Sequence, residues 1–592
     1  MKTRSQMDPA YQWDLKHIFP DKERWETALA AARDEISAVA GLAGTLSASA
    51  EALRSGLDAI YGARRRAELV YLYAALCSAG DNSDTENQSM QMRALTMITE
   101  LGSALSFVNP EILAIEPEVL ESYIAEPSMA VYRHMLRDLV RTREHTLSNK
   151  EEKLLAQLAD AAQTPSAAFE MFTDVDMTFP ELTDETGAPV PLTHATFGVY
   201  RESRDRRVRE EAFEKYFGEY EKYKNTFAAL YSGSVKLDSY SARVRGYSCA
   251  LEAALDSGNI PVRVYESLIE AVHSALPAMK KYLDLRRRAL GLEKLHMYDL
   301  YVPLIEPAAT GKVEYPAARR MVEQAVMPFG EEYLKHIEEA FDSGWIDVYE
   351  NKGKRAGAFS CGVYGVHPYV LLNFAGKLDD AFTVAHELGH AMHSYFSDRA
   401  QDYVNHDYTI MVAEVASTVN EVMMTKSLLS QESDKQSRAA LLNRLLEGFR
   451  TTVFRQTLFA EFEKRTHEMY ESGQPLTAEA LSALYRELNL LYYDGVEVDP
   501  ISDIEWARIP HFYNAFYVYQ YATGFCSAVD IADRILKTGD ATGYLAFLRM
   551  GGSAYPLDEL RAAGVDLEDP GCVLSALRVF EQTVDELDKL LA

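Results

Sequence analysis

Cysteine is scarce in this chain, with only Cys77, Cys249, Cys361, Cys526 and Cys572 among 592 residues. They are scattered, odd in number and never spaced as CxxC, which excludes a disulfide framework and a cysteine-rich zinc site. Basic residues are also short, with 60 Lys+Arg against 89 Asp+Glu and a formal net charge of −29. Such a surface repels phosphate backbones, and no basic stripe with interleaved aromatics offsets it, so nucleic acid is not an expected partner. No uncharged apolar run approaches the length of a membrane-spanning helix. The opening MKTRSQMDPAYQWDLKHIF lacks the apolar core of a signal peptide. A reducing cytoplasm is the expected setting, with no membrane partner. The sequence has neither a fixed-period repeat nor a low-complexity linker.

What is present is an ordinary globular mixture, 47% hydrophobic and 25% charged. The length suffices for several average domains or one large structure with a deep interior. Most of it has apolar residues at three- and four-residue intervals, as in DKERWETALAAARDEISAVA from Asp21, NKEEKLLAQLADAAQ from Asn149 and the long run from Arg438. Strand signals are few. Met177 to Phe197 reads as a hairpin turning near Thr186 and Gly187, and a second β cluster runs through WIDVYE, AGAFSCGVYG and YVLLNF between Trp345 and Phe374. The expected fold is therefore mainly α, with a small sheet near the helix of residues 385–396. The hairpin suggests a boundary at residue 198, between a helical N-terminal region (1–198) and a second region (199–592).

The densest chemistry lies in AHELGHAMHSYF, residues 385–396. Residues four apart on a helix rise about 6 Å and differ by about 40° in azimuth. His386 and His390 can therefore aim one ring nitrogen each at a single ion about 2.0–2.1 Å away. Glu387 is directed instead toward a water on that ion, as a general base; this is the H-E-x-x-H arrangement of zinc peptidases. His393 continues the same face but sits about 10.5 Å along the axis from His386, too far to share the ion. It reads as a packing residue or a support for a ligand. The metzincin pattern, which needs Gly at 393 and His at 396, is excluded by His393 and Phe396. The third ligand is sought downstream among Asp398, Asp402, His406, Asp407, Glu414 and Glu421. Glu414 is favoured because it stands inside the apolar face of the helix TIMVAEVASTVNEVMMTKSLL, where a carboxylate needs a cation. Glu421, two turns on, is the backup ligand or an acceptor for an imidazole N–H. Two histidines and a glutamate leave a position open for water, the catalytic rather than the closed structural arrangement.

Three motifs, AHELGHAMHSY (385–395), VAEVASTVNE (412–421) and IPHFYNAFYVYQYATG (509–524), together with WDLKHIFP at Trp13, resemble the oligoendopeptidase F group of thimet-oligopeptidase-like zinc peptidases over essentially the whole chain. The resemblance implies a nearly all-helical fold in two halves around a deep channel, and internal cleavage of short unfolded peptides. It implies one zinc per chain on His386, His390 and Glu414, with Glu387 as base and proton carrier. It also implies that a His and Tyr cluster holds the scissile carbonyl oxygen. In this chain that segment offers His511 and the tyrosines 513, 517, 519 and 521, with Tyr517 and Tyr521 preferred. Tyr513, Tyr517 and Tyr521 are spaced to share one helical face, although an aromatic stripe is as often core. In AGAFSCGVYG, an edge strand that pairs with an extended peptide competes with a plain glycine-rich hairpin. Two rival functions remain. A zinc carboxypeptidase or dipeptidase would need a cation for the substrate's terminal carboxylate, for which Arg450, Arg455 and Arg508 are candidates. A peptide-binding scaffold with structural zinc would have no use for Glu387.

Overall fold

The computed structural model describes residues 1–305 and 312–591. The chain is mainly α, as expected. It folds into two compact units, each assembled from three separated segments. The first comprises Met1–Glu144, Thr310–Leu428 and Ile531–Val565; the second comprises His145–Ala309, Leu429–Asp530 and Asp566–Ala592. The sequence boundary at 198 is a division along the chain and falls inside the second unit.

In the first unit, the helices Lys22–Ala40, Ala50–Gly80 and Thr85–Ala104 pack around one hydrophobic core. Each starts on a short polar side chain, Asp21, Ser49 or Asp84, that accepts a hydrogen bond from a backbone N–H of the first turn. Trp25, Leu29 and Ala32 recur at helical spacing on the first helix and are buried. Trp25 is fully enclosed, and its indole N–H donates to the Val70 carbonyl at 2.8 Å. Alanines 63, 67 and 74 line the second helix and let its neighbours come close.

Strands are short. In the second unit β1 (Leu182–Thr183) and β2 (Pro189–Val190) form the expected hairpin. Its turn is held by Asp184 Oδ1, which accepts from the N–H groups of Thr186 and Ala188, while Gly187 takes φ +85°. Also in this unit, β3 (Leu295–His296) pairs in parallel with a late strand described below. The first unit contains β4 (Ile346–Asp347), β5 (Phe359–Cys361) and β6 (Tyr369–Leu371), in the order β4-β6-β5, with β4 parallel and β5 antiparallel to β6. This is the β cluster expected from the sequence, and β5 is an edge. The partner of β3 is β7 (Val496–Glu497). The N-terminal WDLK segment packs on the three-stranded sheet. Trp13 is buried against Phe359 and Tyr369, and the Tyr369 hydroxyl donates to the Asp14 carbonyl at 3.0 Å.

Candidate metal centre and active site

Two helices of the first unit build the site. The histidine helix, Leu378–Ala400, is capped by its third residue, Asp380, whose carboxylate accepts from the N–H of Lys377 at 2.8 Å. With Asp379 it places negative charge at the positive end of the helix dipole. Phe382, Ala385, Gly389, Met392 and Phe396 form its buried stripe. The glutamate helix, Ile410–Gln431, carries Val412, Val415, Ala416, Val419 and Met423 inward. Gly389 lies at the point where the two helices meet. A Cβ there would fall 2.5 Å from Ser417 Cα and 2.7 Å from the Ala416 carbonyl oxygen, so only glycine allows this approach. Close by, the fully buried Asn420 donates from its amide nitrogen to the Ala385 carbonyl at 3.0 Å and accepts from the Tyr333 hydroxyl at 3.0 Å. Close backbone contact and a satisfied buried amide thus fix the helices against sliding. The sequence pattern alone did not single out Gly389 or Asn420. A glycine inside a strongly helical pattern was the available signal.

With the helices fixed, Glu414 Oε2 lies 3.6 Å from His386 Nε2 and 3.7 Å from His390 Nε2. One ligand atom from each residue lies within 4.8 Å of the others, and among the described residues no other His, Cys, Asp or Glu group converges in this way. The Glu414 side chain is 43% exposed. Its position departs from the expectation of a carboxylate inside an apolar face, since the side chain is the most exposed of the three. Glu421 does not join the three. Its Oε1 accepts from His386 Nδ1 at 2.7 Å. That contact places the proton on Nδ1 and leaves the Nε2 lone pair facing Glu414. The donor set therefore fits a metal ion: two imidazole nitrogens and a carboxylate on one side of a point, with the tautomer already set.

The remaining candidates lie elsewhere. Asp398 pairs with His406 at 2.8 Å, and Asp402 and Asp407 are exposed. His393 is wholly buried, stacked on Tyr408 with centroids 3.6 Å apart and packed against Phe547. Burial, with His390 adding repulsion, pushes its pKa down to about 3, so it stays neutral.

Electrostatics divide the titratable groups. Glu387 is 7% exposed. Burial pushes its carboxyl up to about 7, Glu414 and Glu421 add to the rise, and His386 opposes it. Burial pulls His386 down, but the Glu421 hydrogen bond and the surrounding carboxylates raise it overall. Burial and the neighbouring His386 hold His390 down to about 4.

The His and Tyr segment belongs to the second unit, and here the local structure differs from the spacing argument. Pro510–Tyr513 is a short 3-10 turn, and the following helix begins only at Tyr519. Between them Phe516 adopts φ +59°. Its N–H donates to the buried Glu463 at 3.1 Å, and its buried ring packs on His467 and Tyr265. This break removes Tyr513 from the shared face and stacks it on Phe169, with centroids 4.6 Å apart. Tyr517 and Tyr521 nonetheless gather around His511. The Tyr521 hydroxyl is 3.3 Å from His511 Nε2, and the Tyr517 ring lies 6.2 Å from the imidazole. Tyr519 is buried. Of the glycines near β5, Gly362 abuts Ser394 of the histidine helix, while Gly357 and Gly365 take positive φ in turns.

A mainly helical fold with an H-E-x-x-H helix crossed by a glutamate-bearing helix defines the class, and comparison with known proteins supplies the family. Residues 199–579 match Peptidase family M3, and residues 111–179 match Oligopeptidase F. The chain is 40% identical to oligopeptidase PepF of Bacillus subtilis over 592 residues, covering 99% of this chain and 88% of that one. It is 39% identical to the plasmid oligoendopeptidase F of Lactococcus lactis subsp. cremoris, covering 100% and 99%. Among solved structures, a Chlamydophila abortus protein is 34% identical with a TM-score of 0.94 and full coverage of both chains. The oligoendopeptidase F of Enterococcus faecium is 36% identical with a TM-score of 0.74, covering 96% and 99%. The chain belongs to peptidase family M3, in its oligoendopeptidase F group. It is a peptidase that hydrolyses peptide bonds of oligopeptides. Among the described residues no helix is long and apolar enough to cross a membrane.

Proposed function

We propose that this peptidase is a zinc-dependent endopeptidase of short unfolded peptides. The observation that carries the reading is the convergence of His386 Nε2, His390 Nε2 and Glu414 Oε2 beside the buried carboxyl of Glu387 on the same helix. His386, His390 and Glu414 would hold one zinc ion per chain. Bound there, zinc supplies a Lewis acid for a water molecule and for the scissile carbonyl. Glu387 takes a proton from the attacking water and returns it to the leaving amine. Glu421 holds His386 in the tautomer that ligation requires. His511, with Tyr517 and Tyr521, donates hydrogen bonds to the carbonyl oxygen as it becomes negative. The edge of β5 offers backbone groups to an extended substrate.

In this proposal residues 199–592 are the catalytic region and 1–198 the N-terminal region. Residues 199–579 carry the family M3 match. A cytoplasmic setting accords with five cysteines that are all unpaired. The exopeptidase reading loses two of its candidate cations. Arg450, fully buried, is engaged by Glu447, and Arg455 by the buried Glu505, each pair at 2.6 Å.

Digestion of a mixed peptide pool followed by mass spectrometry tests the reading. Peptides blocked at both ends should be cut internally, a folded protein should survive, and a chelator should stop cleavage until zinc is restored. Cleavage that requires a free terminus would make the enzyme an exopeptidase. Undiminished cleavage in a preparation shown by elemental analysis to be free of metal would remove zinc from the reaction.

A further inference from the structure

The second unit contains a cavity of about 520 Å³ that none of the proposed chemistry uses. Ligand sites commonly span about 300–1,000 Å³. Two arginines, Arg201 and Arg508, line it. The Arg201 side chain makes no hydrogen bond or ion pair among the described residues, and its Nε is buried without a partner. Its guanidinium lies 3.9 Å from the centre of the Tyr301 ring. Among the described residues the one carboxylate that Arg508 pairs with is Glu505, at 3.6 Å. That carboxylate is already engaged by Arg455 at 2.6 Å and by the Tyr485 hydroxyl at 2.8 Å. A half-buried cation without a counter-charge is costly, which is why such groups are normally paired. Neighbouring arginines follow that rule: Arg450 has Glu447, and Arg455 has Glu505. The surplus of positive charge registers on Tyr301. Burial alone would push its hydroxyl up, yet Arg455, Arg450 and Arg201 together draw it below the usual tyrosine range.

The rest of the lining has a different character. Glu170 and Asp174 are exposed, while Phe197 and Tyr216 supply buried aromatic wall. The cavity therefore combines one cation unpaired among the described residues, a second that shares its carboxylate with Arg455, an apolar wall and exposed carboxylates. A zwitterion complements these features at once. Planar guanidinium groups suit a carboxylate in particular, because their N–H donors match its two oxygens.

We propose that this cavity binds a dipeptide. Its α-carboxylate lies between Arg201 and Arg508, its α-ammonium faces Glu170 and Asp174, and its side chains rest on Phe197 and Tyr216. The site goes beyond the proposed hydrolysis and uses none of the metal ligands. Its ligand has the chemistry of a terminal product of peptide breakdown.

Calorimetric titration of the full chain with the dipeptide Leu-Phe, its C-terminal amide and its N-acetyl form tests this. Leu-Phe should bind saturably, and each blocked form should bind at least about tenfold more weakly. Arg201→Gln should lose the same factor. Arg201→Lys should lose part of it, since the charge remains without the planar fork. Because the Arg201 side chain has no hydrogen-bond or ion-pair partner among the described residues, unliganded Arg201→Gln should melt at or above the wild-type temperature. His386→Ala should leave dipeptide binding unchanged, which separates this site from the metal centre. The proposal is overturned if Leu-Phe fails to bind at millimolar concentration, or if amide and acid bind alike. It also fails if Arg201→Gln binds normally or melts well below the wild type. Loss of binding in His386→Ala but not in Arg201→Gln would assign the dipeptide to the metal centre instead.

Discussion

Glu421 Oε1 sits 2.7 Å from His386 Nδ1, and this one contact decides which face of the imidazole meets Glu414. The carboxylate can only accept, so the proton lies on Nδ1 and Nε2 is left as a donor of electrons. Glu421 also brings negative charge that strengthens the ring as a ligand. Removing it with Glu421→Ala should weaken metal binding by about 10–100-fold while both histidines stay in place. Glu421→Gln, which can still accept through its amide oxygen, should fall between that variant and the wild type. Competition with a chelator of known affinity gives the order directly. Equal metal affinity in all three proteins would deny Glu421 this role.

Gly389→Ala tests the crossing of the two helices. The added methyl would meet Ser417 Cα at 2.5 Å and the Ala416 carbonyl oxygen at 2.7 Å, both backbone atoms. The helices must part, at a cost of about 1–3 kcal/mol for an overpacked site. Glu414 should then lose its register with the histidines. Lower melting temperature together with lower metal content is expected; a stable variant with full metal would show that the crossing is looser than the distances say.

Glu387→Gln separates proton transfer from metal binding. The amide keeps the size of the side chain but cannot accept the water's proton at neutral pH. The variant should retain about one zinc, fold normally and bind peptides, while kcat drops by about 10²–10⁴. Zinc and turnover need to be measured on one preparation. Near-normal turnover with full zinc would revive the reading of a peptide-binding scaffold.

Removal of single hydroxyls sorts the aromatic donors. Loss of an oxyanion donor costs about 10²–10³ in kcat, and that loss is expected for Tyr517→Phe or Tyr521→Phe. Both side chains are half-buried and gather around His511. Tyr519→Phe should be silent in kcat because that ring is enclosed. Wild-type kcat in all three would leave the role to His511 or to another residue.

A buried acid outside the site gives a pH-dependent stability. Glu559, in the helix Pro556–Ala562 of the first unit, is 1% exposed, and neither carboxyl oxygen has a hydrogen-bond partner among the described residues. Burial, with Asp558 adding repulsion, raises its pKa from 4.5 to about 8. The folded state therefore binds this proton more tightly than the unfolded chain. Its contribution to stability is fully present below pH 4.5 and is lost as the pH rises through about 8. Glu559→Gln has no proton to lose, so its stability relative to wild type should increase from pH 5 to pH 9, on the order of a few kcal/mol. Denaturant titrations of the two proteins across that range read the difference. A constant difference would mean that Glu559 ionises in the fold as it does in water.

The sequence by itself determined whatever depends on short-range geometry. Four-residue spacing on a helix puts His386 and His390 on one face, and the three-residue step to His393 carries that ring out of reach, because rise and twist per residue are constants of the helix. Helix caps at Asp21 and Ser49 and the Asp184 turn were equally local. Where the local rule was interrupted, sequence misled. Tyr513 has the spacing of Tyr517 and Tyr521, but a buried carboxyl from Glu463 holds Phe516 in a left-handed conformation and breaks the face. Only the tertiary structure decided how distant segments meet. Glu414 reaches the histidines because Gly389 lets two backbones touch. Glu421, two turns further on, is left to hold the ring rather than the ion. Arg201 and Arg508 line one cavity although nothing near either in the sequence announces the other. Such contacts are set by the depth and angle at which whole helices pack, and a periodic sequence does not specify these quantities until its partner surface is present.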